Sequence, residues 1–120
     1  MSNLPKLVRD KIPNIIRESG SDAVWKTANK ARWARRELLV RKLQEETAEF
    51  EDLTLGWELP DSAALREEAA DMLECCLALW RVYGIELDEV VAVADAKRRK
   101  RGGFDDGIIL EAVITKSDDL

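Results

Sequence analysis

The sequence predicts an all-α fold, an antiparallel helical bundle with short extended segments toward its ends. Three observations predict it. Helix-forming residues dominate a chain with only three prolines. Apolar residues recur in steps of three and four along two long stretches, residues 29–55 and 62–83. Glycine and proline gather between those stretches rather than inside them. At 120 residues the chain is one domain, residues 1–120, long enough for a real core and without room for a second.

The first element spans about ten residues ending before Gly20. Asp10 is placed to cap it, Pro13 is tolerated in its first turn, and Gly20 suits the position just past its end. Arg9 and Lys11 read as surface or interface charges rather than ligands. Ala23-Val24-Trp25-Lys26, within residues 21–28, reads as a brief extended segment. Asn29 then caps a long helix that runs to about Leu55, with Trp33, Leu38, Leu39, Leu43, Phe50 and Leu53 as its buried stripe. Gly56-Trp57-Glu58-Leu59-Pro60 ends it, because glycine permits a left-handed turn and proline disfavours helical geometry at Leu59.

A second helix runs from a cap at Asp61 or Ser62 to about Tyr83 and closes at Gly84. Beyond Asp71 it is apolar over much of its circumference, which one small chain can scarcely cover, so a subunit interface is expected. The third long helix follows Ile85-Glu86-Leu87-Asp88 and reaches about Arg101, its inward seam passing from Val90 and Ala94 to Lys97 and Arg101. The run Lys97-Arg98-Arg99-Lys100-Arg101 has three readings: a solvated helix end, a nucleic-acid patch, or a phosphate clamp. Gly102-Gly103 stops the helix, Ile108, Ile109, Leu110, Val113 and Ile114 suggest a strand within residues 104–114, and residues 116–120 read as frayed. No internal repeat or low-complexity stretch interrupts this order.

The charge pattern on the two long helices carries the chemistry. Leu39, Leu43, Glu46, Phe50 and Leu53 step by 4, 3, 4 and 3, so Glu46 interrupts a hydrophobic seam. Ala64, Glu68, Asp71, Cys75, Ala78 and Val82 step in the same way. Glu46 with Glu49, and Glu68 with Asp71, are i,i+3 pairs on one face of each helix. Glu49 and Glu68 each lie about six residues from the connecting turn, roughly 9 Å of rise. Glu46 and Asp71 match at about nine residues, so antiparallel pairing brings all four carboxylates to one level. Crowded acids in a partly dry site repel and take up protons unless a cation neutralises them. Oxygen-only donors suit a hard divalent ion, Mg²⁺ first and Mn²⁺ second. Lys42, four residues before Glu46, is placed to pair with it.

Composition excludes several alternatives. A net charge of −5 opposes a general affinity for nucleic acid. The absence of histidine removes Ser-His and Cys-His nucleophile schemes. Cys75 and Cys76 are adjacent, without metal-ligand spacing, and read as small core residues of a cytosolic, cytoplasmic protein. No leader-type segment or 18-residue apolar run occurs, so export and membrane spanning are not expected.

Lys42-Leu43-x-Glu45-Glu46-x-x-Glu49, followed by Glu67-Glu68-Ala69-Ala70-Asp71, resembles the all-α nucleoside triphosphate pyrophosphohydrolases, which include MazG-like proteins, dimeric all-α dUTPases and phosphoribosyl-ATP pyrophosphatase. Lys6-Leu7-Val8-Arg9-Asp10-Lys11-Ile12-Pro13 and the closing Lys97 and Arg101-Gly102-Gly103-Phe104 are similar to a small single-domain branch of that superfamily, and the likeness covers most of residues 5–111. The resemblance implies Mg²⁺-dependent cleavage between the α and β phosphates of a nucleotide, in a homodimer or homotetramer. It implies Glu46, Glu49, Glu68 and Asp71 as metal ligands, Glu45 as the base for the attacking water, and Lys97 and Arg101 as holders of the outer phosphates. For Glu45 the alternative is an ordinary salt-bridge residue. The phosphoribosyl-ATP enzymes carry an aromatic and a histidine where this chain has Glu74 and Cys75, so nucleotide house-cleaning fits better than histidine biosynthesis. Trp25, Trp33 and Trp80 each offer a ring for stacking on a base, with core packing as the commoner use. The competing class is a non-catalytic helical module that docks through residues 97–101.

Overall fold

Each helix boundary has a local chemical cause. In a computed structural model of the chain, which describes residues 4–115, the helices are α1 (Ile12–Glu18), α2 (Arg32–Thr54), α3 (Ser62–Val82) and α4 (Leu87–Arg101). No strand occurs among the described residues. The chain divides into two units, Met1–Glu86 and Leu87–Leu120.

In the first unit, Pro13 occupies the opening turn of α1, where its missing N–H costs no helical bond. Gly20, at φ +98°, lets the chain reverse past the other end, where Ser21 N–H donates to the Ile16 carbonyl at 3.3 Å and Gly20 N–H to that of Arg17 at 3.0 Å. α1 has seven residues rather than about ten, and Asp10 does not cap it. The N-cap position falls on Lys11, and Ile12 N–H is satisfied by the Arg9 carbonyl at 3.0 Å. Asn29 is likewise not the N-cap of α2. Its Oδ1 accepts from Ala31 N–H at 2.7 Å, a side-chain turn that competes with helix, so α2 starts only at Arg32. Asp61 does cap α3, its Oδ1 accepting from Ala63 N–H at 3.0 Å. At the far end, Gly84 at φ +71° allows Ile85 N–H to reach the Trp80 carbonyl at 3.0 Å.

α2 and α3 pack against each other as an antiparallel pair across their short connection. At the end away from that connection, the Arg32 guanidinium lies 5.8 Å from the Tyr83 ring centroid. The seam is the one the 4-3 spacing predicts. Leu39, Leu43, Phe50 and Leu53 are half-buried around a buried Glu46, and Ala64, Glu68, Asp71, Ala78 and Val82 are half-buried around a buried Cys75. Trp33 does not join it. It is 68% exposed, because it sits about 120° around the helix from Leu39 at 3.6 residues per turn.

Among the described residues, the second unit consists of α4 and the irregular residues 102–115. Asp88 and Glu89 stand in the first turn of α4, and Arg98, Arg99, Lys100 and Arg101 in the last, each set complementing the helix dipole. Its expected inward seam is open: Val90 is half-buried, and Ala94, Lys97 and Arg101 are exposed. The strand expected within residues 104–114 does not form. Ile108, Ile109, Leu110, Val113 and Ile114 are exposed, with no second strand among the described residues to pair with. Residues 21–28 are irregular for the same reason. The frayed tail expected at 116–120 lies outside the described residues.

Among the described residues, α2 and α3 enclose a thin seam rather than the larger core expected from chain length. Cys75 is the only buried hydrophobic residue among those described, because two helices side by side enclose one seam and leave their outer faces bare. Leu55, Trp57, Leu59 and Leu73 are all exposed.

Asp61→Ala removes a working cap and should lower stability by about 1 kcal/mol in urea denaturation. Asn29→Ala, whose bond lies upstream of α2, should cost less in the same measurement.

Candidate metal centre

Helical spacing places Glu46 and Glu49 on one face of α2, and Glu68 and Asp71 on one face of α3. The antiparallel register joins them. Glu46, Glu68 and Asp71 each present a carboxylate oxygen within 4.8 Å of the others, and Glu45, Glu46 and Glu49 form a second such group. Glu46 belongs to both. At 6% exposure it is the only buried charged or polar residue among those described.

Lys42 neutralises part of this charge, its Nζ lying 3.2 Å from Glu46 Oε1 and 3.2 Å from Glu45 Oε1. The other oxygen of Glu46, Oε2, is buried without a hydrogen-bond partner, and so is Glu68 Oε2. Buried acceptors without donors are costly, and more so when charged. The titration of the cluster expresses that cost. Burial, then the hydrogen bond with Glu46 and the charges of Glu49 and Glu46, push the Glu68 carboxyl up to about 7. Burial and the neighbouring Glu46 also raise Glu49. Burial works against ionisation of Glu46 as well, but hydrogen bonds with Lys42, Glu68 and Glu49 outweigh it and hold that carboxyl below its ordinary value. Lys42 is held above its ordinary value by Glu45 and Glu46 in spite of its own burial.

The donor set fits a divalent cation. Four carboxylates offer hard oxygens, and the two orphaned oxygens are acceptors that a cation would satisfy as the cluster loses its proton. Thiolate ligation does not compete, since burial raises the free thiols of both Cys75 and Cys76. Glu45 is half-buried beside the cluster and bonded to Lys42, so its salt bridge and its proximity to the ligands coexist.

Asp71 has a partner that sequence reasoning missed. Arg9 Nη2 donates to Asp71 Oδ1 at 2.5 Å. No periodicity connects an irregular segment to a helix position 62 residues away, so only the folded chain reveals the pair. That segment borders a groove of about 450 Å³ between α2 and α3, lined in part by Leu38, Leu39, Ala78 and Val82. Lys97 and Arg101 belong to the second unit, where with Lys100 they line one shallow concavity of α4. Trp25 and Trp33 are exposed rather than packed in a core, and Trp80 is half-buried.

The carboxyl shifts fix the sign of a pH dependence for the metal-free chain. Because the folded Glu68 titrates near 7 against an ordinary 4.5, the folded state holds a proton that the unfolded state has released between those values. Glu49 shifts in the same direction and Glu46 in the opposite one. Stability in chelator should therefore fall as pH rises from about 4.5 to about 7, as thermal melts across that window would read. Glu68→Gln should flatten the slope. No family model, curated protein or solved structure matches this chain.

Proposed function

We propose that the protein is a Mg²⁺-dependent nucleoside triphosphate pyrophosphohydrolase that cleaves a (d)NTP between the α and β phosphates to the monophosphate and pyrophosphate. The observation that carries this reading is the meeting of four carboxylates from two helices around buried oxygens of Glu46 and Glu68 that lack donors. Glu46, Glu49, Glu68 and Asp71 would hold Mg²⁺, with Mn²⁺ as the alternative ion. When bound, the ion offsets phosphate charge and lowers the pKa of coordinated water.

The chain's own residues supply the rest. Glu45 takes the proton of the attacking water, while Lys42, bonded to Glu45 Oε1 at 3.2 Å, leaves its second oxygen to act as acceptor. The half-buried setting of the cluster limits water around it, which strengthens these interactions. The substrate class fits nucleotide house-cleaning in the cytoplasm, and the free thiols suit a reducing compartment. No helix among the described residues is long and apolar enough to cross a membrane.

A homodimer or homotetramer completes the reading. With Cys75 the only buried hydrophobic residue among those described, the apolar burial that offsets chain entropy is short, and the exposed apolar face of α3 needs a cover. Light scattering after size exclusion should give at least twice the chain mass. Leu73→Glu, on that face, should shift the protein toward monomer.

The decisive test is pyrophosphate release over a panel of ordinary and modified (d)NTPs with Mg²⁺. Glu45→Gln should cost about 10²–10⁴-fold in rate, as loss of a general base does. Glu49→Gln and Asp71→Asn should abolish release while the variants remain folded. Mg²⁺ should raise the melting temperature of the wild type through binding to the folded state alone. A phosphoribosyl-ATP pyrophosphohydrolase would confine activity to that one substrate. A non-catalytic module docking through residues 97–101 would release no pyrophosphate and would keep its binding in Asp71→Asn.

A further inference from the structure

The groove beside the carboxylates has the size of a small-molecule site, at about 450 Å³. Its charges are more telling than its volume. Arg9, Arg35, Lys42 and Arg81 line it. So do Asp10, Glu46, Asp71 and Glu74, which makes four positive charges against four negative and a formal sum of zero. The cations are not equally committed. Lys42 is held by Glu45 and Glu46, and Arg9 by Asp71. Arg35 donates from Nε to the Asn29 carbonyl at 3.2 Å. The Arg81 side chain has no hydrogen bond or ion pair within the described residues.

We propose that this groove seats the polyphosphate of the nucleotide, and that Arg9 exchanges Asp71 for that polyphosphate when a divalent cation takes the carboxylates. The proposal rests on the metal-site reading above and adds to it the seat of the anion and a role for Arg9.

Two of the acids lining the groove, Glu46 and Asp71, are at present neutralised by cationic side chains of the chain itself, Lys42 and Arg9. A divalent ion on those carboxylates brings two further positive charges to acids whose negative charge Lys42 and Arg9 already offset in part. Lys42 and Arg9 then face less negative charge at the acids and more at an incoming phosphate. An anion that arrives without the metal meets carboxylates instead. Metal and anion therefore bind with positive coupling, each raising the affinity of the other.

Arg9 is the side chain able to make the exchange. It lies in the irregular segment before α1 with its side chain 56% exposed, so turning it requires no helix to unwind. Its guanidinium matches phosphate as well as carboxylate, through the same paired N–H geometry. Lys42, fixed within α2 and only 17% exposed, stays with the acids.

Titration calorimetry on the full chain tests this, with Mg²⁺ alone and with imidodiphosphate, a diphosphate that resists hydrolysis, at saturating Mg²⁺ and in chelator. Wild type should bind Mg²⁺, bind imidodiphosphate with Mg²⁺, and bind it at least about tenfold more weakly without, within the usual range of coupling between sites. Arg81→Ala and Arg9→Ala should each weaken imidodiphosphate by about tenfold, the loss of one charge-assisted hydrogen bond. Arg9→Ala should also tighten Mg²⁺ alone by several-fold, since it removes a competing cation from Asp71, and Arg9→Lys should restore much of the diphosphate affinity. Weaker Mg²⁺ binding in Arg9→Ala overturns the exchange, because Arg9 would then be orienting Asp71 for the metal. Diphosphate affinity unchanged in both alanine variants overturns the groove as its seat while leaving the metal site standing. Absence of Mg²⁺ binding to wild type removes the metal reading and the exchange together. A melt of each variant confirms that it is folded.

Discussion

Glu46 is a carboxylate held between two helices at a position where an apolar side chain would ordinarily sit, and the unit around it is arranged to make that tenable. Taking a charge out of water costs several kcal/mol unless partners replace the lost solvation. Lys42 supplies one partner from the same helix, at 3.2 Å, so the pair forms wherever α2 forms. The remaining acids do the opposite. Glu49 and Glu68 add negative charge beside an oxygen that already lacks a donor, and the cluster responds by retaining a proton at Glu68 to about pH 7. A fold selected only for stability would place leucine at these positions, since replacing buried ions with apolar residues is often neutral or favourable. The cost is understandable if the oxygens are kept for a cation.

The two cations that touch the acids differ in kind. Lys42 is a seam residue, little exposed and bonded to two carboxylates at once. Arg9 arrives from an irregular segment, keeps most of its side chain in solvent and bonds one carboxylate oxygen. A surface ion pair of this sort contributes little to stability in water, typically below about 1 kcal/mol. Its significance lies in its position on Asp71, one of the acids that the metal reading assigns to the ion.

The parts of this architecture that were legible in the sequence are those governed by short-range rules. The 4-3 steps placed Glu46 and Glu68 on the inward seam, and equal distances from the connecting turn brought the acids to one level, because helical rise is fixed by the backbone. Asp61 and Gly84 behaved as their chemistry requires. The misreadings arise where a local competitor or a distant partner decides the outcome. Asn29 spent its side chain on a turn before the helix, and the Arg9 carbonyl took the N–H at the start of α1. Trp33 looked like a core residue from its type, but its angle around α2 points it away from the seam. The apolar residues of 104–114 have β-propensity without a partner strand, and propensity alone does not make a ladder. The Arg9–Asp71 pair has no sequence period at all.

The bare outer face of α3 bears on both the proposed oligomer and the proposed site. Leu73 lies two residues beyond Asp71, about 200° around the helix, so the apolar side that asks for a cover is turned away from the acids. A second copy seated there would bury the surface that one chain leaves exposed without occupying the seam that holds Glu46, Glu68 and Asp71. Cover by a second copy and access of a cation, as proposed, would thus use different faces of one helix. The sequence of α3 keeps them apart, with Glu68, Asp71 and Cys75 on the inward line and Ala69, Ala70 and Leu73 on the exposed one. A substitution at Leu73 would therefore act on the proposed assembly through a surface that does not include the carboxylates, so that loss of an oligomer and loss of the proposed chemistry could be told apart.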